Sequence, residues 1–235
     1  MISILKNILT SNSYMESSVN LCLDNAAAFL FLPSIESTRE EYFVILQLKL
    51  QNDNSALSIL NELAEDIFSK ILGSKEVLPS FEKNCTLLIC HKESCINRET
   101  ILKIEEDPYN FKKNVITYSE EEENLFTDYV NNRNIIELSK EAINNIVNEN
   151  GGEYFTHFKN NQSTKNHYTF VLKLAIKIPF LTYQHQTQEL SNLLNDIETS
   201  LFPDQLYAYN ELFNIENDWN DQDILNNVEK IWGSK

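Results

Sequence analysis

The sequence is poor in glycine and proline. Its 235 residues include four glycines and five prolines, which excludes a linker-rich chain and argues against a glycine-rich phosphate-binding loop. The motifs H-E-x-x-H and G-x-S-x-G are also absent. The histidines are scattered, with no triad or metal-ligand spacing around His91, His157, His167 or His185. We therefore expect a protein that is not an enzyme and that holds no cofactor.

Positive charge is scarce as well. Lys and Arg total 19 against 35 Asp and Glu, for a formal net charge of −16. Binding to phosphate backbones or anionic lipids requires a surplus of Lys and Arg, so the chain alone should bind neither DNA nor a membrane. There is no apolar run of 18 residues and no basic leader followed by an apolar run. These absences predict a cytoplasmic protein.

Cysteine is used sparingly, at Cys22, Cys85, Cys90 and Cys95. The last three and His91 form the pattern C-x4-C-H-x3-C, a candidate zinc site. Cys85 and Cys90 belong to a predicted strand, in which a separation of five places the two side chains on opposite faces. They cannot both reach one ion, so we interpret the cysteines as small buried hydrophobic residues and expect no metal.

The N-terminal half contains compact apolar elements. Two runs, Ala26–Leu32 and Glu41–Leu50, predict a β-hairpin. A helix is predicted from a Ser55 cap to Gly73, and Cys85–Cys90 has the composition of a central strand. Residues 1–20 fit either a docking helix or an edge strand. This order predicts an α+β fold with a mixed or antiparallel N-terminal sheet covered by helices, followed by a mainly helical C-terminal half.

The stretch ILKIEEDPYNFKKNVITY (Ile101–Tyr118) has the most distinctive local chemistry. Asp107 can accept hydrogen bonds from free backbone amides, and Pro108 suits the first position of a helix. Lys112 and Lys113 follow near the C-terminal end of that turn. The pattern predicts a short helix beginning at Asp107.

Capping residues predict helices on either side of this turn. Asn97 opens a helix that runs to about Glu106, and VITY (Val115–Tyr118) is either a strand or an extended link. Ser119 and Glu122 form a capping box, which predicts the start of a further helix.

In the C-terminal half, apolar and polar residues alternate in one segment only. Residues 168–178 show period-two hydrophobicity, which predicts a strand ended by Pro179. The remainder has helical spacing. We predict an α+β region over 1–118 and a mainly helical region over 119–235, packed as one unit.

Clustered acids allow an enzymatic alternative, a metal-dependent nuclease. Glu105, Glu106 and Asp107, with Lys112 nearby, are the residue types used in two-metal hydrolysis. Consecutive acids on a helix point in different directions, however. We therefore favour helix capping and solvated faces for these residues.

Several aromatic residues are candidates for a binding surface. Tyr109, Phe111, Trp219 and Trp232 could stack on bases, but without interleaved arginine they are more typical of a core or a protein interface. The final helix is amphipathic, with its apolar residues at Ile224, Leu225, Val228, Ile231 and Trp232. Such a helix either docks on a partner or completes the core of its own chain.

Two segments carry a family resemblance. The block NCTLLIC (84–90) followed by ILKIEEDPYNFKKNVITY (101–118) resembles the middle-component family of three-component ABC ATPase (ABC-3C) conflict systems. These systems include the bacterial anti-phage defence called Lamassu. The likeness covers about a quarter of the chain and marks a fold and a subunit type, with no active site in it.

The resemblance implies a non-catalytic adaptor. Such a subunit bridges an SMC-like ABC ATPase, which senses foreign DNA, and an effector, often a nuclease, so that this chain meets DNA only through the complex. The expected partner-binding residues are Asp107, Tyr109, Phe111, Lys112, Lys113, Trp219, Ile224, Val228 and Trp232. A further alternative is a stand-alone inhibitor whose distributed acids mimic DNA.

Overall fold

The computed structural model describes residues 1–161, 164–183, 193–213, 220 and 224–232. These residues form two compact units, Met1–His185 and Gln186–Lys235. The boundary predicted from the sequence, between residues 118 and 119, lies inside the first unit.

A five-stranded mixed sheet forms the centre of the first unit. The strands lie side by side in chain order: β1 (Tyr14–Glu16), β2 (Ala26–Pro33), β3 (Tyr42–Leu48), β4 (Cys85–Lys92) and β5 (Lys112–Tyr118). β1, β2 and β3 pair antiparallel, and β3, β4 and β5 pair parallel. The predicted hairpin, the central strand and the strand reading of VITY are confirmed.

Helices cover both faces of the sheet. Those of the first unit are α1 (Ile2–Thr10), α2 (Asp53–Ser58), α3 (Ala64–Ser74), α4 (Phe81–Asn84), α5 (Arg98–Glu105), α6 (Glu120–Asn132), α7 (Lys140–Val147), α8 (Glu153–Asn160) and α9 (His167–Lys177). The crossovers between parallel strands place α2, α3 and α5 on one face, and α1, α6, α7 and α9 cover the other. Because parallel strands are buried on both faces, β4 needs its nearly continuous apolar sequence. The α+β prediction is confirmed, and residues 1–20 supply both a helix and an edge strand.

The predicted helix from Ser55 to Gly73 forms with different ends. Asn52 caps it, accepting a hydrogen bond from the Ser55 backbone at 2.8 Å, and Lys75 ends it in the left-handed region with φ 60°. A π-helical turn at Ile59–Leu63 joins α2 to α3. In α3 the buried face carries Ile67 and Ile71, so the adjacent Leu72 is exposed although its spacing predicted burial.

The strand predicted at residues 168–178 is wrong, because this segment is helix α9. Asn166 and Thr169 form a capping box at its start. The buried side chains Val171, Leu174 and Ile178 recur at helical spacing, and Ile176, which the alternating pattern placed with Leu174 and Ile178, is exposed. The apolar residues of this segment fit both the period-two pattern of a strand and the spacing of a helix. The capping box and packing against α6 favour the helix.

Helices α10 (Leu193–Ser200), α11 (Pro203–Leu212) and α12 (Ile224–Trp232) make up the described part of the second unit. Pro203 occupies the first position of α11, where its missing N–H leaves no hydrogen bond unmade. The helical C-terminal half is thereby confirmed for these residues.

Candidate interaction surface

The connection between α5 and β5, Asp107–Lys113 (the 107–113 turn), is folded around a buried ammonium group. Lys113 is 2% exposed. Its Nζ donates to Oδ1 of Asp107 at 2.6 Å and to the carbonyl oxygen of Tyr109 at 2.5 Å. Carbonyl oxygens of Asp107 and Phe111 lie at 3.4 and 3.3 Å. A buried charge is tolerated only when it is paired and hydrogen-bonded, so these acceptors fix the path of the turn.

The short helix predicted at Asp107 and Pro108 does not form. The Asp107 carboxylate accepts from the backbone N–H of Tyr109 at 3.1 Å as well as from Lys113, which closes a local turn. Asn110 adopts the left-handed region with φ 65°. The carboxylate expected to cap a helix is thus committed to the lysine, and the chain turns directly into β5.

The predicted contact residues of this turn divide into core and surface. Phe111 is buried, and its ring packs edge-on against Phe68 with centroids 5.1 Å apart. Tyr109 is 71% exposed, and Lys112 is exposed as well. Tyr109 and Lys112 are available to a partner and Asp107 is partly exposed, while Phe111 and Lys113 support the turn from beneath.

The three acids of the nuclease alternative do not converge. Glu105 Oε1 accepts from the backbone N–H of Val115 at 2.8 Å and from Lys177 Nζ at 2.5 Å. Asp107 is paired with Lys113, and Glu106 is exposed. No group of three metal-ligating side chains occurs in the part of the chain that the structure describes. Glu105 instead accepts a hydrogen bond from the backbone N–H of Val115, which the edge strand β5 would otherwise leave unpaired.

An ionic network at the opposite end of β5 was not found from the sequence. Glu122, the capping-box residue of α6, is 1% exposed and pairs with Lys173 of α9 at 2.9 Å. Lys173 and Lys165 both contact Glu93. Burial raises the pKa of Glu93, but hydrogen bonds and charge attraction from the two lysines outweigh it and hold that pKa below its usual value. The capping box was the only local signal for this network.

Stacked side chains join α6 to the start of α9. The His167 ring lies parallel to the Tyr129 ring, with centroids 4.2 Å apart. The Arg133 guanidinium also contacts Tyr129, at 4.5 Å from the centroid of its ring. Burial lowers the pKa of His167; Glu149 partly opposes this and Arg133 reinforces it. Burial and a hydrogen bond to Glu149 raise the pKa of Tyr129 to about 12. His167 is therefore held in its neutral form near pH 7.

The buried cysteines lie on opposite faces of β4, as predicted. Cys85 packs with the core beneath α2, α3 and α5, and Cys90 packs with the core beneath α6 and α9. Burial raises the pKa of Cys85 well above its usual value and that of Cys90 to about 12. Both are protonated at neutral pH and poorly reactive.

The second unit contains the remaining predicted contact residues. Ile224 and Val228 lie on α12 and are exposed, at 39% and 38%. Trp219 lies outside the described residues, as does the side chain of Trp232. Two apolar residues of the predicted docking helix are thus available to a partner.

The 107–113 turn and the strands around it lie in a region that is similar to a known protein family. Residues 41–140 match the family model for ABC-three component (ABC-3C) system Middle Component 1. The match confirms, for these residues, the resemblance to a middle component of an ABC-3C system. The matched region extends from β3 through α6 and contains the whole 107–113 turn.

The other comparisons add no relative. No curated protein and no solved structure matches the chain. Among the described residues, no helix combines the length and apolar composition needed to span a membrane.

Proposed function

We propose that this chain is a non-catalytic adaptor subunit of a cytoplasmic anti-phage ABC-3C complex of the Lamassu type. In this proposal it bridges an SMC-like ABC ATPase, which senses foreign DNA, and a nuclease-type effector. The observation that carries the proposal is the middle-component match over residues 41–140. A middle component belongs to an assembly, so its surfaces are expected to serve subunit contacts.

Two separate surfaces support the bridging role. One is the 107–113 turn, where a buried ammonium holds an exposed Tyr109 in place. The other is the set of exposed apolar side chains on α10, α11 and α12. Tyrosine contributes a large contact area with little loss of rotational freedom, which is why it is enriched at interfaces. The two surfaces belong to different compact units, and in this proposal each serves a different partner.

The geometry gives less support to the nuclease alternative. Glu105 and Asp107 are each bonded to a lysine and to a backbone amide. Recruiting them to a metal would leave Lys113 and Lys177 without their carboxylates. Incubation of the purified chain with DNA and Mg²⁺ or Mn²⁺ tests this alternative, and cleavage abolished by Asp107→Asn would restore it.

Co-expression with the proposed ABC ATPase and effector partners tests the adaptor role. We expect a ternary complex that survives size-exclusion chromatography, in which removal of this chain separates the other two subunits. A chain that elutes alone, or an ATPase and effector that associate without it, would contradict the proposal. Inhibition of the nuclease by this chain alone would favour the DNA-mimic alternative instead.

A further inference from the structure

The helices of the second unit have no packed core among their described residues. Every described side chain from Leu194 to Glu229 is exposed or partly exposed, whereas α9 alone buries five side chains in the first unit. The large apolar residues Phe213 and Leu225 are 71% and 74% exposed. Several large apolar side chains exposed on neighbouring short helices are typical of a site of protein association.

These helices are also short. α10, α11 and α12 contain 8, 10 and 9 residues, and isolated helices below about 12 residues are marginal in water. Most helical stability in proteins comes from packing an amphipathic face. On α12, Ile224, Leu225 and Val228 share one side at the spacing i, i+1 and i+4. The unit therefore has an apolar side that would be stabilised by burial.

The charge of this unit specifies the surface that could cover it. Residues 186–235 contain ten Asp and Glu, two Lys and no Arg, a net charge of −8. A matching surface must be apolar at its centre and basic at its border, because like charges across an interface cost several kcal/mol. Self-association through this unit would bring together two units that each carry a net charge of −8, so charge repulsion disfavours it.

We propose that α10, α11 and α12 dock in an apolar groove of a partner subunit that is bordered by Lys and Arg. The inference rests on the proposed adaptor function and specifies the chemistry of one of its two contacts. Apolar side chains such as Phe213 and Leu225 fill the groove, and the surrounding acids pair with its rim. The charges steer association and select the partner, while the apolar residues supply most of the affinity.

Binding of the full-length chain to its ATPase and effector partners tests the docking. Phe213→Ala and Leu225→Ala should each weaken the complex by roughly 10-fold or more, the range of a buried interface anchor. Ile35→Ala is the matched control, because Ile35 is 95% exposed in the first unit, and it should bind as wild type does. Biolayer interferometry on the purified partners gives each affinity.

The basic rim is tested by charge reversal. Asp204→Lys combined with Glu229→Lys should weaken binding at low salt and flatten its decline with NaCl, because fewer attractive pairs remain to be screened. Glu36→Lys, an exposed acid of the first unit, should leave the salt dependence as in wild type. Equal salt dependence in the double variant and wild type would overturn the basic-rimmed groove.

Three further outcomes separate this inference from the adaptor proposal. If Phe213→Ala and Leu225→Ala bind normally while Tyr109→Ala does not, the docking is wrong and the adaptor role stands. If the wild-type chain forms no complex, the adaptor role itself is wrong. If either alanine variant lowers the melting temperature of the isolated chain, or dissociates a homodimer seen by light scattering, the apolar side is covered within this chain or by a second copy, and the proposal is overturned.

Discussion

Replacement of Lys113 by methionine would remove the ammonium group around which the 107–113 turn is folded. Methionine keeps the length and apolar stem of lysine but loses every hydrogen bond from Nζ. The Asp107 carboxylate, 18% exposed, would lose its cation, and the carbonyl oxygen of Tyr109 would lose its donor. The change therefore tests whether the ammonium is a structural element of the turn.

The expected cost follows from the burial of the pair. Removing one partner of a buried salt bridge costs about 3–5 kcal/mol, because the remaining charge is left unpaired. Water can reach the partly exposed Asp107 carboxylate, so we expect a value near the lower limit, about 3 kcal/mol. A domain of 150–250 residues loses about 2–4 °C in Tm for each kcal/mol. The expected fall in Tm is therefore about 6–12 °C.

Urea unfolding followed by circular dichroism measures the free energy, and differential scanning fluorimetry measures Tm. Lys112→Met is the matched control, since Lys112 is the exposed neighbour, and it should change stability by less than about 0.5 kcal/mol. Adding Asp107→Asn to Lys113→Met should recover part of the loss, because no charge is then left unpaired. A Lys113→Met variant as stable as the control would refute the structural role of the ammonium.

Three further predictions test neighbouring features. Phe111→Ala should lower the free energy of unfolding by about 3–5 kcal/mol through loss of core packing, whereas Tyr109→Ala should leave the unfolding curve unchanged and weaken partner binding in a pull-down. Burial lowers the pKa of His167 below its usual 6.5, so its contribution to stability is present above pH 6.5 and is lost as pH falls through the folded pKa. In urea titrations the His167→Gln variant should therefore lose less free energy of unfolding between pH 7.5 and 5.5 than wild type does. An equal loss would contradict this assignment. A maleimide reagent should label the exposed Cys22 quickly and Cys90 only on unfolding, as mass spectrometry of tryptic peptides can establish; rapid labelling of Cys90 in the folded chain would contradict its burial.

Elements defined by local chemistry could be predicted from the sequence. The capping box at Ser119 and Glu122 and the Asn97 cap of α5 depend on residues three positions apart, and both form as expected. The central strand β4 could also be predicted, because a parallel strand buried on both faces needs a continuous apolar run.

Features that depend on distant contacts could not be predicted in the same way. In residues 168–178 the apolar residues satisfy both the strand and the helix period, and packing of α9 on α6 decides between them. The π-helical turn at Ile59–Leu63 likewise has no recognisable mark in the sequence. Both outcomes depend on how neighbouring elements pack, which periodicity alone does not encode.

The burial of Lys113 had a signal that charge obscured. In a strand beginning near residue 111, Phe111, Lys113 and Val115 fall on one face at period two, and Phe111 and Val115 both belong to one core. A lysine between two apolar residues, six positions after Asp107, is consistent with a buried pair. The same pattern explains why the acidic stretch is part of the fold, although it had suggested a metal site.

Reconstitution of the three-component assembly tests the account most directly. The full-length chain should hold an ABC ATPase and an effector in one complex, measured by size-exclusion chromatography with multi-angle light scattering. Tyr109→Ala, or Phe213→Ala together with Leu225→Ala, should release a partner without unfolding the chain. A wild-type chain that binds neither partner, or an ATPase and effector that assemble fully without it, would contradict the adaptor role.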